Sequence, residues 1–527
     1  KTLVSSLHTG IRVCRQITKP MLNHRARILE EYANGFFEDK PHVKKPLNKV
    51  YRALSILVPW LASQNPKAMI RPRLIQLKPF ADTYRLTLNY LSDKIDFGIT
   101  LKELVLDGLT YIGITKTGLA QGGPEIEDVL GYLHDAGQIY TDRVDPEDYL
   151  FDCVARKREE MDYEGNEYRV PLDYIRDSGQ FQNFDKLNPV TISEHVEGHE
   201  RPEEQAKGTS LKYELEEIRP YVRVADFWLP NENIVVTIPA VEGEGELPLK
   251  IMEYGGPERG PYDVLRFSLF PESIIAIPPI YAWLDLHDYI NELARRMARS
   301  SQREKTVLAY SGTAAQDAEN IINAKDGESV RVDDVQALKE VNFGGVAEDS
   351  YRYMDWLSRM WSEQAGNLDL VGGLRPQAET LGQEQMLMAN ATVSLDDMSN
   401  SVHQFTKKIF RKWGWYMWTD PLIDISVIKR LPGLQDIQTS FTPEAREGGF
   451  LDYNIDVEPY TMQRMNPTMR MRRIMELVTG LILPTADLAA QQGTVLQIPA
   501  LVKAVARDLD LTEAEIDEFY KSMGEAP

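Results

Sequence analysis

Apolar residues recur at three- and four-residue intervals over most of this chain, and where that period breaks, short alternating runs bounded by Gly and Pro replace it. Leu22, Ile28, Leu29, Tyr32 and Phe36 predict helix up to about residue 45, with Pro20 as a helix start. A second helix is predicted over 47–63, where Val50, Leu54, Leu57 and Leu61 share one face, Pro59 distorts the last turn, and Asn65 and Pro66 end it. Helical spacing resumes over 84–91 and 97–109, and β-branched and aromatic residues at 110–117 then read as a strand between Gly108 and Gly118. Residues 144–156 change to turns and short strands. The runs 221–228 and 234–238 predict a strand pair across Pro230 and Asn231, and 247–254 with 263–269 predict a second β patch around a Gly- and Pro-rich turn at 255–261.

After Pro278 and Pro279 the pattern turns helical again. Leu286, Ile290, Leu293 and Met297 form an apolar stripe opposite Asp288, Glu292, Arg295, Arg296 and Arg299, in a helix that extends at most to about residue 309. The helical period fails over 311–345, which reads as a compact insert with a short element at 329–332, bounded by Gly327 and by Gly344 and Gly345. Helix is predicted again at 347–364, with Tyr353, Trp356, Leu357 and Met360, and stops at Gly366. A loop at 367–379 precedes the longest periodic run, 381–418, in which Met388, Ala391, Leu395, Met398, Val402, Phe405 and Ile409 keep step. Short strands follow up to Pro459, then helices at 467–479, 498–509 and 512–523, the last opened by a capping-box pattern of Thr512 and Glu515. The fold class is therefore α+β, predominantly helical, with mixed structure in the first half and long helices in the second.

A length of 527 residues exceeds one ordinary core and implies several structural regions. No apolar run approaches the roughly 20 residues that span a bilayer, so no membrane partner is expected. Cys14 and Cys153 make no disulfide framework and no metal quartet, which fits synthesis in a reducing compartment. The formal net charge of -21 disfavours a protein that grips DNA, because affinity for phosphate comes mainly from Lys and Arg. It suits a surface past which DNA slides without sticking.

Motifs for nucleotide, nucleophile and zinc chemistry are missing: the sequence holds no GxxxxGK[ST], no GxGxxG after a strand, no GxSxG and no HExxH. No cofactor, metal or catalytic residue is expected, and the chain does not read as an enzyme. The densest ligand-like cluster is Glu194, His195, Glu197, His199, Glu200, Glu203 and Glu204, which Gly198 and Pro202 interrupt, so it reads as a solvated acidic loop. Asp333 with Asp334, and Asp396 with Asp397, are neighbours whose side chains diverge on a helix and read as surface charge. Trp413, Trp415, Tyr416 and Trp418, preceded by Lys407, Lys408, Arg411 and Lys412, form either a base-stacking platform or, more in keeping with the end of a long helix, a packing surface.

The order of elements, with the segments RVDPEDYLF at 143–151, VRVADFW at 222–228, YNIDVEP at 453–459 and the Pro66-containing end of 47–66, resembles the portal proteins of tailed bacteriophages over nearly the whole chain. That resemblance implies a wing at 1–275, a stem helix at 276–302, a clip at 303–346, a second stem helix at 347–366, a tunnel loop at 367–380, a long helix and return to the wing at 381–460, and a helical crown at 461–527. It also implies a ring of about twelve copies at one capsid vertex, through which double-stranded DNA is packaged and ejected. The implied partners are the major capsid protein, the terminase large subunit, the head-to-tail adaptor and double-stranded DNA without sequence specificity; the implied location is the virion, after synthesis in the host bacterial cytoplasm. In the tunnel loop Asn367, Arg375 and Gln377 are the candidates for passing phosphate contact, with an intersubunit ion pair as the other role for Arg375; Gly372, Gly373 and Pro376 are candidate hinges. Arg303, Lys305, Lys325 and Arg331 are candidates for facing the adaptor from the clip. Two alternatives stand beside this reading: a metal-dependent hydrolase or nuclease built on His195 and His199, and another virion structural component.

Overall fold

The computed structural model describes residues 2–36, 45–120, 126–127, 133–134, 138–188, 220–366, 381–429 and 437–458, except single positions 244, 272, 313, 334 and 422. Within them helices and strands mix, with 48% helix and 22% strand. Helix α1 (Thr2–Ala33) carries Pro20 in its interior, so proline does not mark its start. A buried stripe of Val4, Leu7, Ile11, Cys14 and Thr18 before the proline and Arg25 and Ile28 after it keeps one face against the body of the protein. Tertiary packing of that face outweighs the one backbone donor that proline lacks.

Helix α2 (Lys49–Leu61) starts as its sequence requires: the Asn48 side chain accepts from the Tyr51 N–H, and Val50, Leu54, Leu57 and Leu61 are buried together. Strand β1 (Ala68–Pro72), helices α3 (Lys78–Lys94) and α4 (Phe97–Thr110), and strand β2 (Gly113–Ala120) follow. The short strands β3 (Ile126–Glu127) and β4 (Leu133–His134) pair with each other, before β5 (Gln138–Val144), β6 (Tyr149–Phe151), β7 (Glu164–Pro171) and helix α5 (Leu172–Asp177). Strands β8 (Tyr221–Leu229) and β9 (Ile234–Pro239) form the expected hairpin, with Leu229 opposite Ile234 and Asn233 in the left-handed region that asparagine tolerates.

The second expected β patch does not close on itself. Strand β10 (Lys250–Glu253) pairs with β9, whereas β11 (Tyr262–Leu265) pairs with β2, so the turn at 255–261 carries the chain from one sheet to another. Two antiparallel sheets result, in the orders β10-β9-β8-β7-β6 and β11-β2-β5. A hairpin and a sheet-to-sheet crossing have the same turn residues, and only the partner strand distinguishes them.

Helix α6 (Leu284–Gln302) follows a short 3-10 turn at Pro279–Trp283 and ends at Gln302, because β12 (Lys305–Tyr310) begins three residues later. The insert then holds helix α7 (Ala315–Asn323) and strand β13 (Leu338–Phe343), paired antiparallel with β12; residues 329–332 are neither helix nor strand. Helix α8 (Glu348–Gln364) returns along α6, and α9 (Leu381–Thr419) is the long helix. Strands β14 (Ile425–Lys429) and β15 (Ile437–Phe441) pair, and β16 (Tyr453–Val457) pairs with β1.

The largest core lies where α2, α3, α4 and α9 meet, around Leu57, Leu101, Phe405, Ile409 and Trp413. Its aromatic wall joins Phe80, Tyr84, Trp418, Phe441 and Tyr453 at centroid distances of 5.1 to 6.1 Å. Tyr84 donates to the Gly414 carbonyl at 2.6 Å, and a side chain at 414 would meet that hydroxyl at the same distance, so the close approach requires glycine there. A second core lies between α1 and the two sheets, and a third, smaller one lies around α5.

Candidate assembly surface

Helices α6 and α8 form a hairpin whose base is fastened to the main body. Trp283 and Trp361 meet edge to face at 6.1 Å, and the Lys49 ammonium lies 4.9 Å from the centre of the Trp361 ring. Buried Asn291 accepts from the Leu47 N–H at 2.9 Å and donates to the Leu47 carbonyl at 3.0 Å, so one side chain serves both polar groups of that backbone unit. Lys45 bonds Asp288 and Glu31, both at 3.0 Å, and Arg27 also pairs with Asp288. Burial acts against charge on Glu31 and Lys45; hydrogen bonds outweigh it, from His287 and Lys45 onto Glu31 and from Lys45 onto Glu31 and Asp288. The Glu31 carboxyl is therefore held below its ordinary range and the Lys45 ammonium above its own.

Away from that base the hairpin ends in a two-stranded ribbon with one short helix. Gly344 and Gly345, both at positive φ, turn the chain across the end of α6; the Gly345 N–H donates to the Ser300 carbonyl at 3.1 Å. A side chain at 344 would meet the Arg303 backbone at 2.7 Å. The ribbon shows apolar surface to solvent: Val307 and Tyr310 are exposed, Ile322 is 70% exposed and Val335 74%. On α8, Tyr353 and Trp356 stack on each other at 5.7 Å and 17°, and Trp356 is 51% exposed. A two-stranded ribbon is marginal by itself in water, and clustered exposed aromatic groups mark contact surfaces.

All four basic residues expected in this insert lie on it and are exposed. Arg303 caps α6, Lys305 opens β12 opposite Phe343, and Lys325 follows α7, its backbone N–H donating to Glu328. Arg331 faces Asp333 at 4.0 Å, a contact between two exposed groups that contributes little. The candidates Asn367, Gly372, Gly373, Arg375, Pro376 and Gln377 lie outside the described residues, as do His195, His199 and their acidic neighbours and the expected crown. Sequence reasoning missed the Tyr353–Trp356 stack as a surface feature. The available signal was that 351–361 holds more large apolar residues than one buried helix face accepts.

The aromatic and basic end of α9 is a packing surface. Trp413 is buried against Phe97 and Phe410 and donates to Thr141 at 2.7 Å, while Trp418 joins the aromatic wall. Buried Lys412 bonds the Tyr262 carbonyl and the Asp263 carboxylate, both at 2.7 Å, and Lys407 pairs with Asp456. No base-stacking face is left at Trp413. Asp396 and Asp397 are exposed on α9, as expected of surface charge.

A polar cleft of about 720 Å³ opens between β2 and β5 on one side and β7 and β8 on the other. Several of its charges are paired: Lys116 with Asp226 at 2.7 Å, Arg223 with Glu167, and Arg143 with Asp145 and with Asp107 behind the wall. Burial alone would raise the Asp226 carboxyl, yet Lys116, Thr237 and Tyr168 hold it below its ordinary value. Lys116, in turn, is lowered by burial and raised more by Asp226, and ends well above its ordinary value. The pair thus contributes fully between pH 3.8 and pH 10.5, and its contribution fades as pH falls below the first value or rises above the second. Its side chains keep only 19% and 14% of their exposure, so Asp226→Ala is expected to cost about 2–3 kcal/mol at pH 7. Thermal unfolding at pH 7 and pH 3 checks this; an equal loss at both pH values would contradict it.

Among the described residues no group of three or more His, Cys, Asp or Glu side chains is placed to hold a metal ion, and no helix is long and apolar enough to cross a membrane. The chain matches no family model and no curated protein sequence.

Proposed function

We propose that this chain is a subunit of a tailed-phage portal: a ring of about twelve copies at one capsid vertex that serves as conduit for double-stranded DNA and as docking site for the terminase and the head-to-tail adaptor. The observation that carries the reading is the hairpin of α6 and α8, fastened at its base and ending in a ribbon whose apolar residues Val307, Tyr310, Ile322 and Val335 are left exposed by the described residues. A closed ring covers them, because each copy presents one face to the neighbour on its left and another to the neighbour on its right. The order of elements supports it as well: a mixed α+β body, a helix, a small ribbon insert, a returning helix, and a long helix that runs back to pack against β16, β11 and α2.

Charge fits the conduit. At -21 per chain, about twelve copies sum to on the order of -250, a wall that repels phosphate and leaves no deep minimum along the path. Exposed cations such as Arg303, Lys305, Lys325 and Arg331 then act locally, toward the adaptor or the neighbouring copy. The mechanism is geometric and electrostatic, and no bond-making step is assigned to the chain.

Lysine cross-linking of a mixture of unlabelled and nitrogen-15-labelled protein tests the reading. When the two populations assemble together, a share of the peptides that join Lys305, Lys325 or Lys339 of one copy to another copy carry both isotopes, whereas links within one copy carry only one. Mixed-isotope links at the ribbon are expected, and only same-isotope links there would contradict contact between copies.

A further inference from the structure

The chain holds two cysteines, far apart in sequence, and the fold packs both into the same core, where α1 meets β6. Cys14 lies on the buried stripe of α1, 1% exposed, one helical turn beyond Gly10, where an added side chain would meet the Tyr163 hydroxyl at 2.5 Å. Cys153 follows β6, half-buried, packs against the same core, and directs its thiol to the Phe151 carbonyl at 3.5 Å. The Cys14 thiol lies beside the Cys153 thiol and the Phe151 backbone, in the core where α1 packs against β6. Next to the pair, Val154 is exposed, so the Cys153 side opens toward solvent.

We propose that Cys14 and Cys153 are a redox-sensitive thiol pair that a peroxide oxidises to an intramolecular disulfide, covalently fastening α1 to the end of β6. The balance is simple. Both S–H bonds break and one S–S bond forms; the O–O bond of hydrogen peroxide accepts the two electrons and two protons and leaves as two waters. The hydrogen bond from Cys153 holds the Cys14 thiol below its ordinary range although burial acts against it, and the same contact and burial push Cys153 up. One thiolate within the pair is the state that reacts.

The consequence lies in how α1 is held. Its first half meets the sheets through His8, 2.9 Å from the Pro239 carbonyl, the Arg15–Glu167 ion pair, and the stripe that ends at Cys14. A bond from residue 14 to residue 153 closes a long loop through α2, α3, α4 and the first strands, and long loops constrain the unfolded chain most. In a reducing cytoplasm the thiols stay free; outside it the bond forms and persists.

The test uses the full chain, treated with hydrogen peroxide, alkylated, and digested without reductant. The expected product is one peptide pair joining Cys14 to Cys153, lighter by two hydrogens than the separate peptides and released by dithiothreitol. The unfolding midpoint should rise by a few degrees on oxidation, and Cys153→Ser should remove both the link and the rise. Recovery of both cysteines alkylated, oxidation of Cys153 to a sulfinic acid with Cys14 still free, or links only between separate chains would each overturn the proposal.

Discussion

Replacing Asp107 by alanine is expected to cost about 3–5 kcal/mol, the largest single loss of stability in the described part of the chain. Asp107, on α4, is buried and accepts from Arg25 of α1 at 2.8 Å and from two nitrogens of Arg143 on β5. Arg25 is among the most completely buried side chains, and Asp145 adds contacts to Arg25 at 3.6 Å and to Arg143 at 3.3 Å. Without Asp107 two guanidiniums share one partly exposed carboxylate, and the desolvation cost of the excess positive charge is no longer offset. Thermal unfolding, with hydrogen exchange across α1, α4 and β5, measures the loss. Arg25→Met with Asp107→Leu and Arg143→Met should recover part of it, since an apolar cluster leaves no buried charge unpaired. A loss under about 1 kcal/mol for the single change would show that the network is not what joins the three elements.

The second large effect is on assembly rather than folding. Tyr353→Ser with Trp356→Ser removes an exposed stack, so circular dichroism and the unfolding midpoint of the single chain should be unchanged. If the stack is buried between copies, its removal costs about 2 kcal/mol or more per contact, roughly 30-fold in affinity. Every contact around a closed ring pays the same penalty, so the population should shift to single chains at concentrations where the unaltered protein assembles. Sedimentation velocity of the two proteins at matched concentration reads this directly. Equal assembly would place the stack outside any contact between copies, and a variant that unfolds would place it in the core.

Long elements with a steady period were legible in the sequence. Residues 347–364 and 381–418 became α8 and α9 almost at their predicted limits, because one face of each carries the packing and the period records that face. Pro20 misled because proline is read as a boundary, while the stripe from Val4 to Ile28 shows a helix that tertiary contact holds through it. The crossing at 255–261 could not be told from a hairpin, since pairing of β11 with β2 depends on residues more than a hundred positions earlier. Helix α7 escaped because its nine residues give too few turns for a period to be read between Gly-bounded segments, and they bury only Ala318. Likewise the segments that carried the resemblance proved to hold long-range polar contacts: Arg143 and Asp145 in the Asp107 network, Asp226 bonded to Lys116 and Thr237. The exposure of Arg303, Lys305, Lys325 and Arg331 follows from their charge, whereas the thiol pair and the exposed stack depend on contacts across the fold that no local pattern records.

The most direct measurement is native mass spectrometry of the purified chain alongside negative-stain projection images. The account predicts a closed ring of about twelve copies with a central hole. A single chain or small dimer at every concentration tried would contradict it.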